Sequence, residues 1–167
     1  MIFGSPKQRT SVGGISQADA TKNYVDGMAT SGHWAAQRGV TLLIEALPPA
    51  DTDVVTSLDE AAHWVSQIAN PNVRTMFDSH NAIQESEPHS MLVNRHFPLI
   101  KHVHVNELDG KHPGRGGYDF KPVLAELAAR NYQGWISMEA FDFSFGAETI
   151  ANESIRHMEA QIAALSN

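Results

Sequence analysis

The sequence predicts a parallel α/β fold of the (β/α)8-barrel type. Three observations carry that expectation: strand-like and helix-like segments alternate, the two faces of the strands differ in polarity, and no strand is followed by a G-x-G-x-x-G fingerprint. One domain covering residues 1–167 accommodates the whole pattern.

The elements follow in order. Ile2 to Gly4 is a short apolar strand, and Ala18 to Gln37 has helical spacing that stops at Gly39 just past Arg38. Val40 to Leu47 is the second strand. Ser57-Leu-Asp-Glu60 is a capping box that opens a helix from Leu58 to Ile68. Asn70-Pro71 leads into a third strand, Val73 to Asp78, followed by a helix from Pro88 to Phe97. Ile100 to Asn106 is the fourth strand and Lys121 to Arg130 the next helix. Asn131 to Gly134 turns the chain into a fifth strand, Trp135 to Phe141, and Glu148 to Leu165 closes the series as a helix.

The strand faces favour a barrel over an open doubly wound sheet. Leu42 and Ile44 alternate with Thr41, Leu43 and Glu45, and the valines of 102–106 alternate with His102, His104 and Asn106. A barrel strand packs its outer face on helices and turns its inner face polar at the C-terminal end, where the active sites of this fold lie. A sheet covered on both faces favours continuous apolar runs instead.

Composition narrows the function classes. With 42% hydrophobic and 19% charged residues the chain is a folding sequence. Its formal charge of −7 argues against a phosphate-backbone partner, so no nucleic acid is expected. The absence of cysteine removes disulfides, thiolate metal sites and cysteine nucleophiles. No apolar run approaches the ~20 residues of a membrane span, and MIFGSPKQRT carries no secretory core, so no membrane is expected and the chain reads as cytoplasmic.

Four ligand-type residues fall at or near successive strand ends: Glu45, Asp78, His104 and Glu139, separated by 33, 26 and 35 residues. Each interval is one strand-helix unit, so all four side chains should converge at the barrel mouth. Three carboxylates and one imidazole make an oxygen-rich site suited to one divalent cation, Mn²⁺, Mg²⁺ or Co²⁺, rather than to structural zinc.

Several stretches resemble the xylose isomerase-like barrel superfamily, especially its ketose 3-epimerase, hydroxypyruvate isomerase and inosose dehydratase branches. They are Phe3 to Arg9, Ile44 to Asp51, Phe77 to Asn81, His102 to Glu107, Pro113 to Gly116 with Tyr118 to Phe120, and Ser137 to Glu139. The resemblance implies that Glu45, Asp78, His104 and Glu139 hold the cation and that Glu45 and Glu139 are the catalytic acid-base pair. The implied reaction is sugar isomerisation or epimerisation, by proton abstraction α to a carbonyl through an enediolate. The implied substrate is a small sugar or a hydroxy-keto acid.

Secondary candidates for substrate binding come from the same resemblance. Asp51 lies six residues beyond Glu45, where relatives carry an acidic group. His80 lies two residues beyond Asp78, where the epimerase pattern usually has a histidine three beyond. His102 faces the interior, and Lys111 stands where epimerases carry an arginine. Lys7 and Arg9 could meet a carboxylate or phosphate, whereas His33, His63 and His157 fall on outer helix surfaces and His112 lies beside the mouth.

Other readings remain. A dehydratase of a cyclic polyol would use the same ligands. An apurinic endonuclease would need a basic face that this acidic chain lacks. A truncated, non-catalytic fragment follows from the length, because a barrel needs eight strands and about 250 residues, and the five units here are equivalent to strands 4–8. Five parallel strands cannot close, so a homo-oligomer covering the open edges is expected, with inward Leu43 and Met76 missing their opposing layer.

Overall fold

The computed structural model describes residues 1–166. Its strands are β1 (Ile2–Phe3), β2 (Leu42–Ile44), β3 (Val73–Asp78), β4 (Ile100–Val105) and β5 (Trp135–Met138). Its helices are α1 (Gln17–Ala36), α2 (Leu58–Ile68), α3 (His89–His96), α4 (Lys121–Ala129) and α5 (Ala147–Ala163). The strands form one parallel sheet in the order β1-β2-β3-β4-β5. Every connection therefore steps to the next strand in the same direction. That is the winding of a barrel, because a doubly wound sheet reverses its order partway. The result is a half-barrel of five βα units.

Local chemistry accounts for the element ends. The Ser57 side chain accepts the Glu60 amide and Glu60 in turn accepts the Thr56 amide, so α2 starts where its capping box predicts. α1 ends with Gly39 in the left-handed region at φ 63°. Ala69 does the same for α2 at φ 53°, without the glycine that usually marks such a position.

The core lies on the outer, helix-covered face. Leu42, Ile44 and Val73 pack with Met28 of α1 and Val65 of α2, while Phe77 and Val103 pack with Leu92, Val93 and Leu124 of α3 and α4. Alternation along the strands thus leaves the inner face to Glu45, Asp78, His102 and His104. Leu43 and Met76 are buried, at 5% and 1% exposure, contrary to the expectation that they lack cover. They sit on β2 and β3, which have a neighbouring strand on each side. Exposure is found at the sheet edge instead: Trp135, in register with His102, is 80% exposed. Among the described residues no helix is long and apolar enough to cross a membrane.

Candidate metal centre

Each of the four ligand-type residues arrives on its own strand. Glu45 directly follows β2, Asp78 ends β3, His104 is the penultimate residue of β4, and Glu139 directly follows β5. In parallel strands, register decides which side chains share a face and a level. Asp78 is paired with His104 and His104 with Ser137, so the three strands deliver their polar ends to one level. One ligand atom from each of Glu45, Asp78, His104 and Glu139 lies within 4.8 Å of the others.

His104 Nδ1 is at the centre of this group, 3.0 Å from Glu139 Oε2 and 3.4 Å from both Glu45 Oε1 and Asp78 Oδ2. None of the three is aligned as a hydrogen bond, which leaves Nδ1 a buried nitrogen without a partner. Such atoms are costly unless something satisfies them. Burial disfavours the imidazolium, but the surrounding Asp78, Glu139 and Glu45 carboxylates outweigh it and push His104 up to about 11. An orphaned imidazole nitrogen facing three carboxylate oxygens fits a divalent cation, which would replace the proton that the carboxylates otherwise attract.

The two glutamates differ. Burial pushes Glu45 above its ordinary range, His104 acting against it. Contact with His104 holds Glu139 below its ordinary range, with burial opposing. Glu139 is also the more open of the two, its side chain 37% exposed against 7%.

Backbone and amide groups fix these acids. The Asn81 amide N–H donates to Asp78 Oδ1 at 2.7 Å, and Asn81 Nδ2 donates to Glu45 Oε1 at 3.2 Å. Buried Asn106 accepts from Ser79 Oγ and from the His80 amide, and its own Nδ2 lies 3.4 Å from Asp78 Oδ2. Gly4 lies against the Glu45 carboxylate so closely that a Cβ there would be 1.6 Å from Oε2. No local pattern singles out these supporting residues. Their nearest signal is the polar run Asp78-Ser79-His80-Asn81, in which the histidine is the conspicuous ligand type and the asparagine is not.

Above the acids is a cavity of about 330 Å³ lined by Gly4, Pro6, Glu45, Leu47, Asp51, His80, Asn81, Glu139 and Phe141. Asp51 and His80 therefore join the group. His80 Nδ1 donates to the Leu108 carbonyl at 2.8 Å, in the tautomer that leaves Nε2 an acceptor, and its ring packs 5.3 Å from Phe141. His102 stacks edge-on against His104 at 5.0 Å but does not line the cavity, and burial lowers its pKa, the neighbouring His104 adding to the effect. Lys111 is likewise outside the lining, with Nζ 2.6 Å from Asp109. His157 is half-buried against Phe120 rather than on an outer surface. His112 is fully buried and meets Glu153 at 2.9 Å.

A family model described as xylose isomerase-like TIM barrel matches residues 3–161. The chain is 26% identical over 127 residues to D-psicose 3-epimerase of Agrobacterium fabrum, covering 76% of this chain and 44% of that protein. It is 25% identical over 138 residues to inosose dehydratase of Geobacillus thermodenitrificans, covering 70% and 45%. Among solved structures it resembles D-psicose 3-epimerase crystallised in the presence of D-fructose, with a TM-score of 0.81 at 22% identity, over 93% of this chain and 60% of that one. The chain spans about half the length of the curated relatives it matches.

Proposed function

The chain belongs to the xylose isomerase-like TIM barrel family, and we propose that it binds one divalent cation at Glu45, Asp78, His104 and Glu139 and supports epimerisation or isomerisation of a small ketose. The observation that carries this reading is the meeting of four ligand atoms, from four consecutive strand ends, within 4.8 Å. The epimerases among its relatives support the substrate class.

A bound cation supplies Lewis-acid stabilisation of the negative charge that develops on substrate oxygens once a proton leaves the adjacent carbon. This chain's own residues do the rest. Glu139, the more open of the two acids and a wall of the cavity, takes the proton. Glu45, the more buried, returns one, and return to the opposite face inverts the carbon. Asp51 and His80 Nε2 lie on the cavity wall, where they accept hydrogen bonds from substrate hydroxyls. Pro6, Leu47 and Phe141 give the C–H face of a sugar an apolar surface.

The dehydratase reading has support in the inosose dehydratase match. The test is proton exchange in D₂O with Mn²⁺-supplemented protein, offered D-fructose, D-psicose, hydroxypyruvate and an inosose. Deuterium should enter the carbon next to the ketose carbonyl. Loss of water from the inosose alone would favour the dehydratase. Mn²⁺ binding with no exchange from any compound would leave a cation-binding chain without turnover.

A further inference from the structure

Arg9 is the only lysine or arginine among the buried polar and charged side chains described, at 4% exposure. Among the described residues it has no carboxylate partner. Its Nη1 donates to the Glu45 carbonyl at 2.7 Å, while Nε and Nη2 are buried with no partner at all. A guanidinium held this way is costly, because burial strips its hydration and only one of its donors is repaid. A neutral, apolar side chain would fill the space at lower cost if filling were its only task.

Its contacts converge on Glu45. The guanidinium lies 5.4 Å from the Tyr24 ring centre, and the Tyr24 hydroxyl donates to the Phe3 carbonyl at 3.3 Å. The same Phe3 carbonyl receives the Glu45 amide at 3.4 Å. Both peptide groups of Glu45 are thereby held, the amide by β1 and the carbonyl by Arg9. This happens directly after β2 ends, where the amide still bonds to Phe3 of β1 and the carbonyl is met by Arg9. A glutamate just past a strand end would otherwise swing, and its carboxylate has to pass over Gly4 into a gap that no Cβ would fit.

We propose that Arg9 is a positioning residue, which locks the Glu45 backbone so that its carboxylate faces the cation site and the substrate. This rests on the function proposed above. The loop that carries Arg9, from Pro6 to Thr10, also lines the cavity through Pro6, so loop and ligand are registered to each other.

The test compares wild type with Arg9→Met, Arg9→Gln and Arg9→Lys, reading Mn²⁺ affinity from the free-ion electron paramagnetic resonance signal, ketose proton exchange, and the melting temperature of the metal-free protein. Arg9→Met should weaken Mn²⁺ binding about tenfold and slow exchange about 10²-fold, the scale of supporting-residue losses and of a misplacement near 1 Å. Arg9→Lys retains a donor that reaches towards the Glu45 carbonyl and should recover most of the binding, whereas the Arg9→Gln amide ends at the position of the arginine Nε, short of it. A merely structural arginine would move the melt and leave the metal-free-corrected affinity alone. If Arg9→Met fails to fold, Arg9→Gln against Arg9→Lys decides, with recovery by lysine expected. Wild-type Mn²⁺ binding and exchange in a folded Arg9→Met, or equal losses in all three variants, would overturn the inference alone. Wild-type protein that binds no Mn²⁺ would overturn the proposed function and this inference with it.

Discussion

Replacing Gly4 with alanine isolates the geometry of the Glu45 carboxylate. A Cβ on Gly4 would lie 1.6 Å from Glu45 Oε2 and 2.8 Å from Cδ, while neighbouring atoms in proteins rest roughly 3.5 Å apart. The carboxylate must therefore retreat by about 1.5–2 Å. Bonds from oxygen to a small divalent cation are about 2.0–2.1 Å and tolerate only tenths of an ångström, so that retreat removes one of four ligands. The backbone does not complicate the reading, because Gly4 is not among the positive-φ glycines and alanine can adopt its conformation. Mn²⁺ affinity of Gly4→Ala should fall about 10- to 100-fold, or about 1.4–2.7 kcal/mol. The melt of the metal-free protein should move by only a few degrees, since a side chain rather than the backbone gives way. Isothermal titration with Mn²⁺ measures the first and calorimetry the second. Binding within threefold of wild type would refute the claim that this carboxylate is a ligand.

Glu139→Gln keeps the shape of the side chain and removes its basicity, so ketose proton exchange should drop by about 10²-fold or more, and an unchanged exchange rate would assign the base elsewhere. Hydrogen bonds from Arg115, then His112, hold the Glu153 carboxyl down at about 2 from the ordinary 4.5. Its contribution to stability is therefore complete above pH 4.5 and drains as pH falls towards 2. The melting temperature of wild type should exceed that of Glu153→Gln by a constant margin above pH 5, and the margin should close across that window. The unpaired edges of β1 and β5, with Trp135, Phe141 and Phe143 exposed beside the second, predict self-association. Light scattering should show species above the monomer, with tryptophan emission shifting blue as concentration rises. A monomer melting cooperatively above about 60 °C would contradict this.

The strands and helices were legible because their signals are local. β3 and α2 have the residues expected, the first from a β-branched and apolar run and the second from the capping box at Ser57. Strand ends were less legible where the chain leaves the ladder for a distant partner. β2 stops at Ile44 although its apolar pattern runs to Leu47, because the Leu47 amide turns to the Val55 carbonyl instead. β5 stops at Met138 because the Phe141 amide bonds to Gly110. Val55 at φ 60° was beyond reach, since a β-branched side chain argues against that conformation. The four ligand-type residues stood out by chemistry and spacing, while Arg9, Gly4 and Asn81 depended on contacts 36 to 41 positions away.

The spacing rule that exposed the four residues also explains why the surroundings of the cluster escaped it. A barrel repeats its strand end at each unit, so a side chain at that level needs no loop to bring it inward, and its periodicity survives in the chain. The supporting residues lie on loops, whose paths are set by pairings with other loops, such as His80 on Leu108 and Asn106 on Ser79. Loop 107–118 shows how far this goes. Buried Glu107 spends one carboxylate oxygen on the Gly114 amide and the other on the Tyr118 amide, and a Cβ at Gly116 would lie 2.4 Å from it. Gly116 of Pro113-Gly-Arg-Gly116 thus makes room for a carboxylate, while a Cβ at Gly114 would meet the His157 ring at 3.1 Å. Shape in this loop is therefore held by an acid that binds backbone, Glu107, whereas the acids at the strand ends each turn an oxygen towards the common centre.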